Sequence, residues 1–318
     1  MHCLSIVKRL ILPIAMFVGT LVYFIFAFVP CISSYSSFLE PLMNELLPIS
    51  MFLMLYVTFC KVNFSRLKFV KWHFFVTAFQ IISVAIVVGI ILIFNLTEHG
   101  IIIFEGILSC IICSCASATA VVTQKLGGNI EEMTSYTFLS NLVSAILIPL
   151  SFPLVESSAS ISFISSFMMM LNRVVVILVL PMLFAYFTKH WHLLSSVYHR
   201  ILSFKNLGFY LWACSLSIVT GITVRNIVHS DLSILFFVII AFSVLAVCTV
   251  QFVVGRFIGK FFGHEIEAGQ ALGQKNTSFA IWVSSTYLNP LSSIGPGCYI
   301  LWQNIINSIE LWYYDKHH

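Results

Sequence analysis

The chain has 318 residues, of which 59% are apolar and only 9% are charged. A soluble domain has roughly 25% charged residues, so the composition excludes an ordinary soluble protein and indicates that lipid surrounds most of the chain. The formal net charge of +4 says little by itself, and nothing in the sequence points to a nucleic-acid partner. The nine cysteines lie mostly in apolar segments, which favours small buried helix residues over disulfides or a metal site.

Ten apolar segments follow one another along the chain. A bilayer core requires about 20 apolar residues per helix, and segments of this kind lie at about 10–30, 42–60, 73–95, 101–124, 133–154, 161–187, 206–224, 232–255, 265–288 and 293–314. The sequence therefore predicts an all-α integral membrane protein of about ten transmembrane helices in a lipid bilayer. The fourth and ninth segments are the least apolar of the ten.

The basic residues predict the orientation. If the N-terminus is cytoplasmic, the inner connections and both tails hold thirteen of the sixteen Lys and Arg residues, whereas the outer connections hold only Arg225. This bias is a strong positive-inside signal, and it predicts a multi-pass protein of the cell membrane with both termini in the cytoplasm. The apolar run of the first segment exceeds the core of about 7–15 residues that signal peptides have, so we expect a retained helix.

Ten segments divide into two halves of five, 1–156 and 157–318, with the divide near Ser157–Ser160. Because five is odd, the second half enters the membrane from the opposite side, and equivalent halves would form inverted repeats. The alternative is ten helices without internal symmetry. A polar stretch in the fourth helix of each half favours the repeat.

The first polar stretch is 113–128 in the fourth segment, and it contains the hydroxyl residues Ser117, Thr119 and Thr123. Small residues allow helices to approach closely, which is one explanation of the pattern. The other is a helix that breaks near Ala116–Ala118 and exposes backbone groups that can bind ions.

The second polar stretch, 264–278 in the ninth segment, includes Gln274, Lys275, Asn276 and Thr277. A lysine at mid-membrane costs about 2.5–3.5 kcal/mol on insertion scales. Lys275 could therefore extend to the interface. The functional alternative places it in a site, where it pairs with a carboxylate or a substrate anion, or titrates.

Neutral polar residues accompany these stretches in neighbouring segments, and hydrogen bonds between packed helices explain them about as well as a site does. They are Gln80, Thr137, Asn141, Gln303 and Asn304. No phosphate-binding loop, G-x-S-x-G or HExxH motif is present, so we expect neither an enzyme nor a cofactor.

Two blocks of the sequence carry a resemblance to a known family. The first contains Ser114-Cys115-Ala116, Thr119-Ala120, Thr123, Gly128-Asn129, Thr137 and Ser140-Asn141-Leu142. The second contains Ala271-Leu272-Gly273-Gln274-Lys275-Asn276, Pro296-Gly297 and Trp302-Gln303-Asn304. With Gln80, these blocks resemble the bile acid:sodium symporter family.

The resemblance implies two inverted five-helix repeats in which helices 4 and 9 are discontinuous and cross at mid-membrane. It also implies a panel and a core domain that give alternating access, and substrates that are organic anions such as bile acids or small carboxylates. Three positions that supply sodium ligands in the family are Ala120, Ala271 and Lys275 here. Residual sodium ligands would be Thr119, Thr137, Gln80 and the backbone at Leu272 and Gln274.

A hard cation prefers oxygen ligands with a carboxylate among them, and Lys275 would repel it. The resulting hypothesis is a carrier of a small organic anion in which the ammonium group stands in for sodium, so that sodium coupling is weakened or lost. Coupling to a proton through Lys275 stays open. Alternatives are a sodium symporter with a residual site and, from another class, a non-transporting membrane receptor. A homodimer is also left open.

Overall fold

The structure is a computed structural model that describes residues 2–29, 36–156, 162–204 and 206–317. Helices make up 85% of it, and the described residues form no strand beyond one isolated bridge between two residues. The predicted all-α class is therefore confirmed. The predicted divide near Ser157–Ser160 lies outside the described residues.

Fourteen α-helices occur in the described part of the chain. They are α1 (His2–Phe28), α2 (Ser36–Cys60), α3 (Lys71–Ile93), α4 (Glu98–Ile112), α5 (Thr119–Lys125), α6 (Ile130–Val155), α7 (Phe163–Leu178), α8 (Leu180–His190), α9 (Ser195–Ser203), α10 (Leu207–Val228), α11 (Ile234–Lys260), α12 (Glu265–Gly273), α13 (Thr277–Tyr287) and α14 (Ile294–His317). Short 3-10 turns lie at Phe64–Arg66, His192–Leu194 and Pro290–Ser293.

Five spans among the described helices are long and apolar enough to cross a membrane by length and composition. They are Lys71–Ile93, Ile130–Val155, Phe163–His190, Leu207–Val228 and Ile234–Lys260. Two shorter apolar helices cover Pro13–Phe28 and Glu45–Cys60. These features support a membrane-embedded protein, and the count of ten spans stays a prediction.

Helix α3 illustrates why lipid is the expected surroundings. Phe74, Ile82 and Ile86 are more than half exposed, whereas Gln80 on the opposite face is fully buried. A soluble helix would reverse this pattern, because contiguous exposed apolar surface is unfavourable in water. The polar residue is inside and the apolar residues are outside, as lipid requires.

Two compact units divide the chain, and each combines segments from both sequence halves. The first comprises Met1–Lys61 with Leu180–Asp231, and the second comprises Val62–Val179 with Leu232–His318. The division therefore does not follow the two halves, and the inverted repeat itself stays a prediction.

Within the first unit, α1 packs on α10 and α2 packs on α8. Gly19 lies directly against the backbone of Ser217, where a Cβ atom would collide with the carbonyl group. Tyr56 and Thr188 share a hydrogen bond of 2.8 Å between their hydroxyl groups. A close backbone contact and one polar link thus hold these helices together.

Within the second unit, α11 packs closely along α12. Gly255 and Gly259 of α11 face the backbone of Ala268 and His264, and neither position has room for a Cβ atom. Small residues permit this approach, as in many membrane helix pairs. The contact holds α12 at the position from which it contributes to the candidate site.

Candidate functional site at two interrupted helices

The fourth predicted segment is interrupted in the structure. Helix α4 ends at Ile112, Cys113 has extended backbone angles, and α5 begins at Thr119. The break includes the predicted Ala116–Ala118, although no proline or glycine stands there.

The ninth predicted segment has a shorter break. Helix α12 ends at Gly273, Gln274 is extended, and α13 begins at Thr277. Asn276 caps α13 by accepting a hydrogen bond from the backbone N–H of Phe279 at 3.4 Å, the usual role of asparagine at an N-cap.

The two breaks pair with each other as a short antiparallel bridge between Cys115 and Lys275. Ala116 N donates to Gln274 O at 3.1 Å, and Asn276 N donates to Ser114 O at 2.8 Å. Backbone groups freed at mid-helix must find partners where no water is available. The two interrupted segments satisfy each other, which explains why both breaks occur at the same place.

The two bridge residues each make one further contact with the next long helix along the chain. Cys115 N donates to Ser140 Oγ on α6 at 2.9 Å, and Lys275 N donates to Gln303 Oε1 on α14 at 2.9 Å. Both backbone N–H groups are buried and would otherwise be unpaired. Ser140 and Gln303 therefore hold the bridge from opposite halves of the sequence.

The C-terminal end of α4 collects three side-chain donors. Gln80 Nε2 lies 3.0, 3.1 and 3.3 Å from the carbonyl oxygens of Ile111, Ile112 and Cys113. Ser144 Oγ donates to Ile112 O at 2.8 Å, and Lys275 Nζ donates to Ile111 O at 3.1 Å. The final carbonyl groups of this buried helix thus face an ammonium group and an amide.

Lys275 does not extend to an interface, because only 1% of the residue is exposed. Among the described residues, no carboxylate forms an ion pair with its ammonium group. The ionisable side chains that interact electrostatically with it are the thiols of Cys110, Cys113 and Cys115. The negative end of the α4 dipole is therefore the principal electrostatic partner of the lysine.

The C-terminal end of α12 has neutral donors instead. Tyr299 donates its hydroxyl hydrogen to Gly273 O at 2.7 Å, and Gln251 Nε2 donates to the Tyr299 oxygen at 3.0 Å. Neither residue was singled out from the sequence for the site. A glutamine on α11 in the position that Gln80 has on α3 is the signal that could have found them.

A buried chain of polar side chains runs from the bridge along α12. Thr119 Oγ1 donates to Gln274 Oε1 at 3.1 Å, and Gln274 Nε2 donates to Gln270 Oε1 at 2.5 Å. Gln270 Nε2 then donates to Glu310 Oε2 at 2.5 Å, and Arg256 pairs with Glu310 at 2.7 Å. Gln270, Glu310 and Arg256 were missed, although Gln270 stands one helical turn before Gln274.

The other predicted residues are placed around the bridge in the same unit. Thr137, Asn141 and Asn304 donate to carbonyl oxygens of their own helices at 2.9, 2.8 and 2.6 Å. Thr123 and Thr277 are buried, whereas Ser117 is half-buried in the first break.

Several side-chain atoms near the breaks are buried without a hydrogen-bond partner. They are Gln80 Oε1, Ser114 Oγ, Thr123 Oγ1, Asn141 Oδ1 and Asn276 Nδ2. Within the described ranges, no cluster of three His, Cys, Asp or Glu residues could hold a metal ion. The chemistry that the site offers is an ammonium group, neutral oxygens and one amide donor, which suits reversible binding of a small polar molecule.

Comparison with known proteins adds no relative: no protein-family model matches the chain, and no curated protein matches it.

Proposed function

We propose that the chain is a secondary active or facilitative transporter of a small organic anion, and that the Lys275 ammonium occupies the place of a coupling cation. The observation that carries the proposal is the buried ammonium at the C-terminal end of α4, 3.1 Å from Ile111 O. In transporters with interrupted helices, carbonyl groups at such ends coordinate the coupling ion. A fixed positive charge at this end disfavours a second cation by direct repulsion.

The matched contacts at the two breaks support an inverted repeat. Ser140 and Gln303 bind the two bridge residues. Farther out, Glu105 on α4 accepts from Asn289 N at 3.2 Å, and Glu267 on α12 accepts from Asn129 N at 2.6 Å. Each half thus uses a buried glutamate to bind the loop beyond the interrupted helix of the other half. Such reciprocity is expected of two related repeats.

The charge distribution favours an anion as the substrate. Lys275 belongs to the bridge, and its ammonium group lies at the α4 end. The eleven-residue helix α13 begins two residues later in the sequence. Helix N-termini carry partial positive charge and bind anions. The buried, unpartnered Asn276 Nδ2 adds a donor at this end. A carboxylate or sulfonate would find complementary charge there.

Transport by variants in proteoliposomes tests the proposal, with a radiolabelled bile acid and radiolabelled pyruvate as probes. We expect uptake of at least one probe by the wild-type protein without a sodium gradient, and a loss of at least tenfold in Lys275→Gln and Lys275→Ala. Lys260→Gln is the matched control, because Lys260 is exposed at the end of α11. Wild-type rates and pH dependence in both Lys275 variants would refute the role of the lysine.

A second candidate, a sodium symporter, is favoured by the buried oxygens that lack partners. Gln80 Oε1, Ser114 Oγ and Asn141 Oδ1 are all neutral acceptors near the breaks, and sodium takes oxygen ligands of this kind. Uptake that rises with an inward sodium gradient, at constant membrane potential, would select this candidate over the first.

A further inference from the structure

The hydrogen-bonded side chains along α12 have a fixed order of donors and acceptors, because the group at one end can only accept. A carboxylate only accepts hydrogen bonds, whereas a glutamine side chain has one accepting end and one donating end. Arg256 donates to Glu310 Oε1 from a terminal nitrogen at 2.7 Å and from Nε at 3.0 Å. The chain therefore begins at a group that can only accept.

Each later link follows from this start. Gln270 must turn its amino group toward Glu310, which is 2.5 Å away, so its oxygen faces Gln274. Gln274 must then donate to that oxygen, also at 2.5 Å, so its own oxygen faces Thr119. The orientation of both amides thus follows from the carboxylate at the end of the chain. The amide of Asn307 agrees with it, since its oxygen also accepts from Gln270 Nε2 at 3.1 Å.

The last link reaches the first break. Thr119 has one hydroxyl hydrogen, and it is donated to Gln274 at 3.1 Å. The Thr119 oxygen can therefore only accept from other groups, and Cys115 Sγ lies 3.3 Å from it as a thiol donor. All members between Gln270 and Cys115 are buried, with 0% to 3% of each residue exposed, so water does not compete for these bonds.

We propose that Glu310, which is paired with Arg256, is a positioning residue that sets the hydrogen-bond polarity of Thr119 at the crossing of the interrupted helices. The carboxylate acts through Gln270 and Gln274, and Thr119 consequently presents accepting lone pairs to the site. The inference rests on the proposed function only in that Thr119 and Gln274 belong to the proposed site. Its test requires no substrate.

Replacing Glu310 by glutamine is expected to reverse the donor and acceptor roles along the row of hydrogen-bonded side chains. Arg256 donates only, so it would hold the oxygen of the new amide, and the amino group would face Gln270. Gln270 would then accept from position 310 and donate to Gln274, which in turn would donate to Thr119. The Thr119 hydrogen would turn from Gln274 toward its other neighbour, Cys115 Sγ. The thiol hydrogen would then be left with the more distant acceptor Ala116 O, at 3.7 Å.

The thiol of Cys115 reports this inversion, because donating a hydrogen bond lowers the S–H stretching frequency. The experiment is infrared spectroscopy of the full-length protein in detergent, with the Cys115 band assigned by the difference between the wild type and Cys115→Ser. We expect the assigned band to move to higher frequency in Glu310→Gln. Thr119→Val should move it in the same direction, because that variant removes the acceptor itself.

Arg256→Gln is the matched control, since it breaks the ion pair but keeps the carboxylate. Polarity set by Glu310 predicts an unshifted Cys115 band in this variant, whereas a merely structural role of the ion pair predicts the same change in both variants. If Glu310→Gln does not fold, Gln270→Met cuts the chain and leaves the ion pair in place.

In Gln270→Met, Gln274 is free to present either end, so the Cys115 band should broaden or split. An unchanged band in Glu310→Gln, or in Gln270→Met where the first variant does not fold, would overturn the proposal. Equal shifts in Glu310→Gln and Arg256→Gln would also overturn it. Because no transport is measured, these outcomes are distinguishable from failure of the proposed function.

Discussion

The C-terminal ends of α4 and α12 are built alike but differ in charge. Each ends at a break, and a hydroxyl group of the following long helix donates to its carbonyl groups. A glutamine of the preceding long helix donates directly to the α4 end, whereas at the α12 end the glutamine donates to that hydroxyl group. Only the α4 end has an ammonium group, that of Lys275. The difference indicates that the hydroxyl and amide contacts serve the shared architecture, whereas the lysine serves a function particular to one end.

The largest effect is expected from reversing the charge at the α4 end. Lys275→Glu would place a buried carboxylate against carbonyl groups that already carry partial negative charge. An uncompensated buried charge costs about 3–5 kcal/mol. We therefore expect a large fall of the melting temperature in detergent, or failure to fold, whereas the exposed control Lys260→Glu should change it little. A melting temperature like that of the wild type would contradict the placement of Lys275.

At the α12 end, removal of a neutral hydrogen-bonding group should lower stability but leave transport intact. Tyr299→Phe removes the donor to Gly273 O and the acceptor for Gln251, and a buried polar group left unpaired costs about 1–3 kcal/mol. A lower melting temperature is the expected result. Transport of the probe anions by Tyr299→Phe should persist below its melting temperature, because no charge is lost. Abolished transport in a folded variant would show that the two ends do not differ in the way described.

Gln80 and Gln251 should contribute unequally to the stability of the protein. Gln80→Leu removes the side-chain donor to Cys113 O, while the carbonyl groups of Ile111 and Ile112 keep Lys275 and Ser144. Gln251→Leu leaves Gly273 O bound to Tyr299. The expected loss of stability is about 1–3 kcal/mol for Gln80→Leu and about 0.5–1.5 kcal/mol for Gln251→Leu. Denaturation of both variants in the same detergent measures the two losses of stability. A larger loss in Gln251→Leu than in Gln80→Leu would contradict this prediction.

The smallest effect is expected far from both ends. Arg66 and Glu131 form an ion pair of 2.9 Å with side chains that are 67% and 47% exposed. Exposed pairs contribute about 0–1 kcal/mol, so Arg66→Gln should leave the melting temperature almost unchanged. The change of melting temperature in this variant is the reference with which the changes at the helix ends are compared. A shift as large as that of Tyr299→Phe would contradict the prediction that the helix ends matter more than an exposed ion pair.

The sequence predicts those parts of the site that depend on local pattern. Hydroxyl and small residues predict the break near Ala116–Ala118, before Thr119. The polar run 264–278 marks the ninth segment as unusual, whereas its break after Gly273 is expected only from the family resemblance. Lysine in such a run is conspicuous because its burial is costly. Apolar runs of about 20 residues, the length of a membrane-spanning helix, do not predict the helix Ser195–Ser203, which has only nine residues.

Contacts between distant segments could not be read from local pattern. Gln270, Glu310 and Arg256 stand on three different helices, and only their packing brings them together. Each alone is compatible with a polar residue near an interface. Tyr299 is similar, because a tyrosine in an apolar helix gives no sign of which carbonyl group it binds. The contact-based units also combine both sequence halves, which a division of the chain at its middle does not predict.

The most direct test of the central claim is the melting temperature of the purified protein with sodium or potassium as the only varied cation. A ligand at about 100 times its dissociation constant stabilises a protein by about 2.7 kcal/mol, which a melting curve resolves. If the Lys275 ammonium occupies the place of the coupling cation, the two salts should give the same midpoint in the wild-type protein and in Lys260→Gln. A rise specific to sodium in the wild-type protein would show that a cation site persists beside Lys275 and would contradict the account.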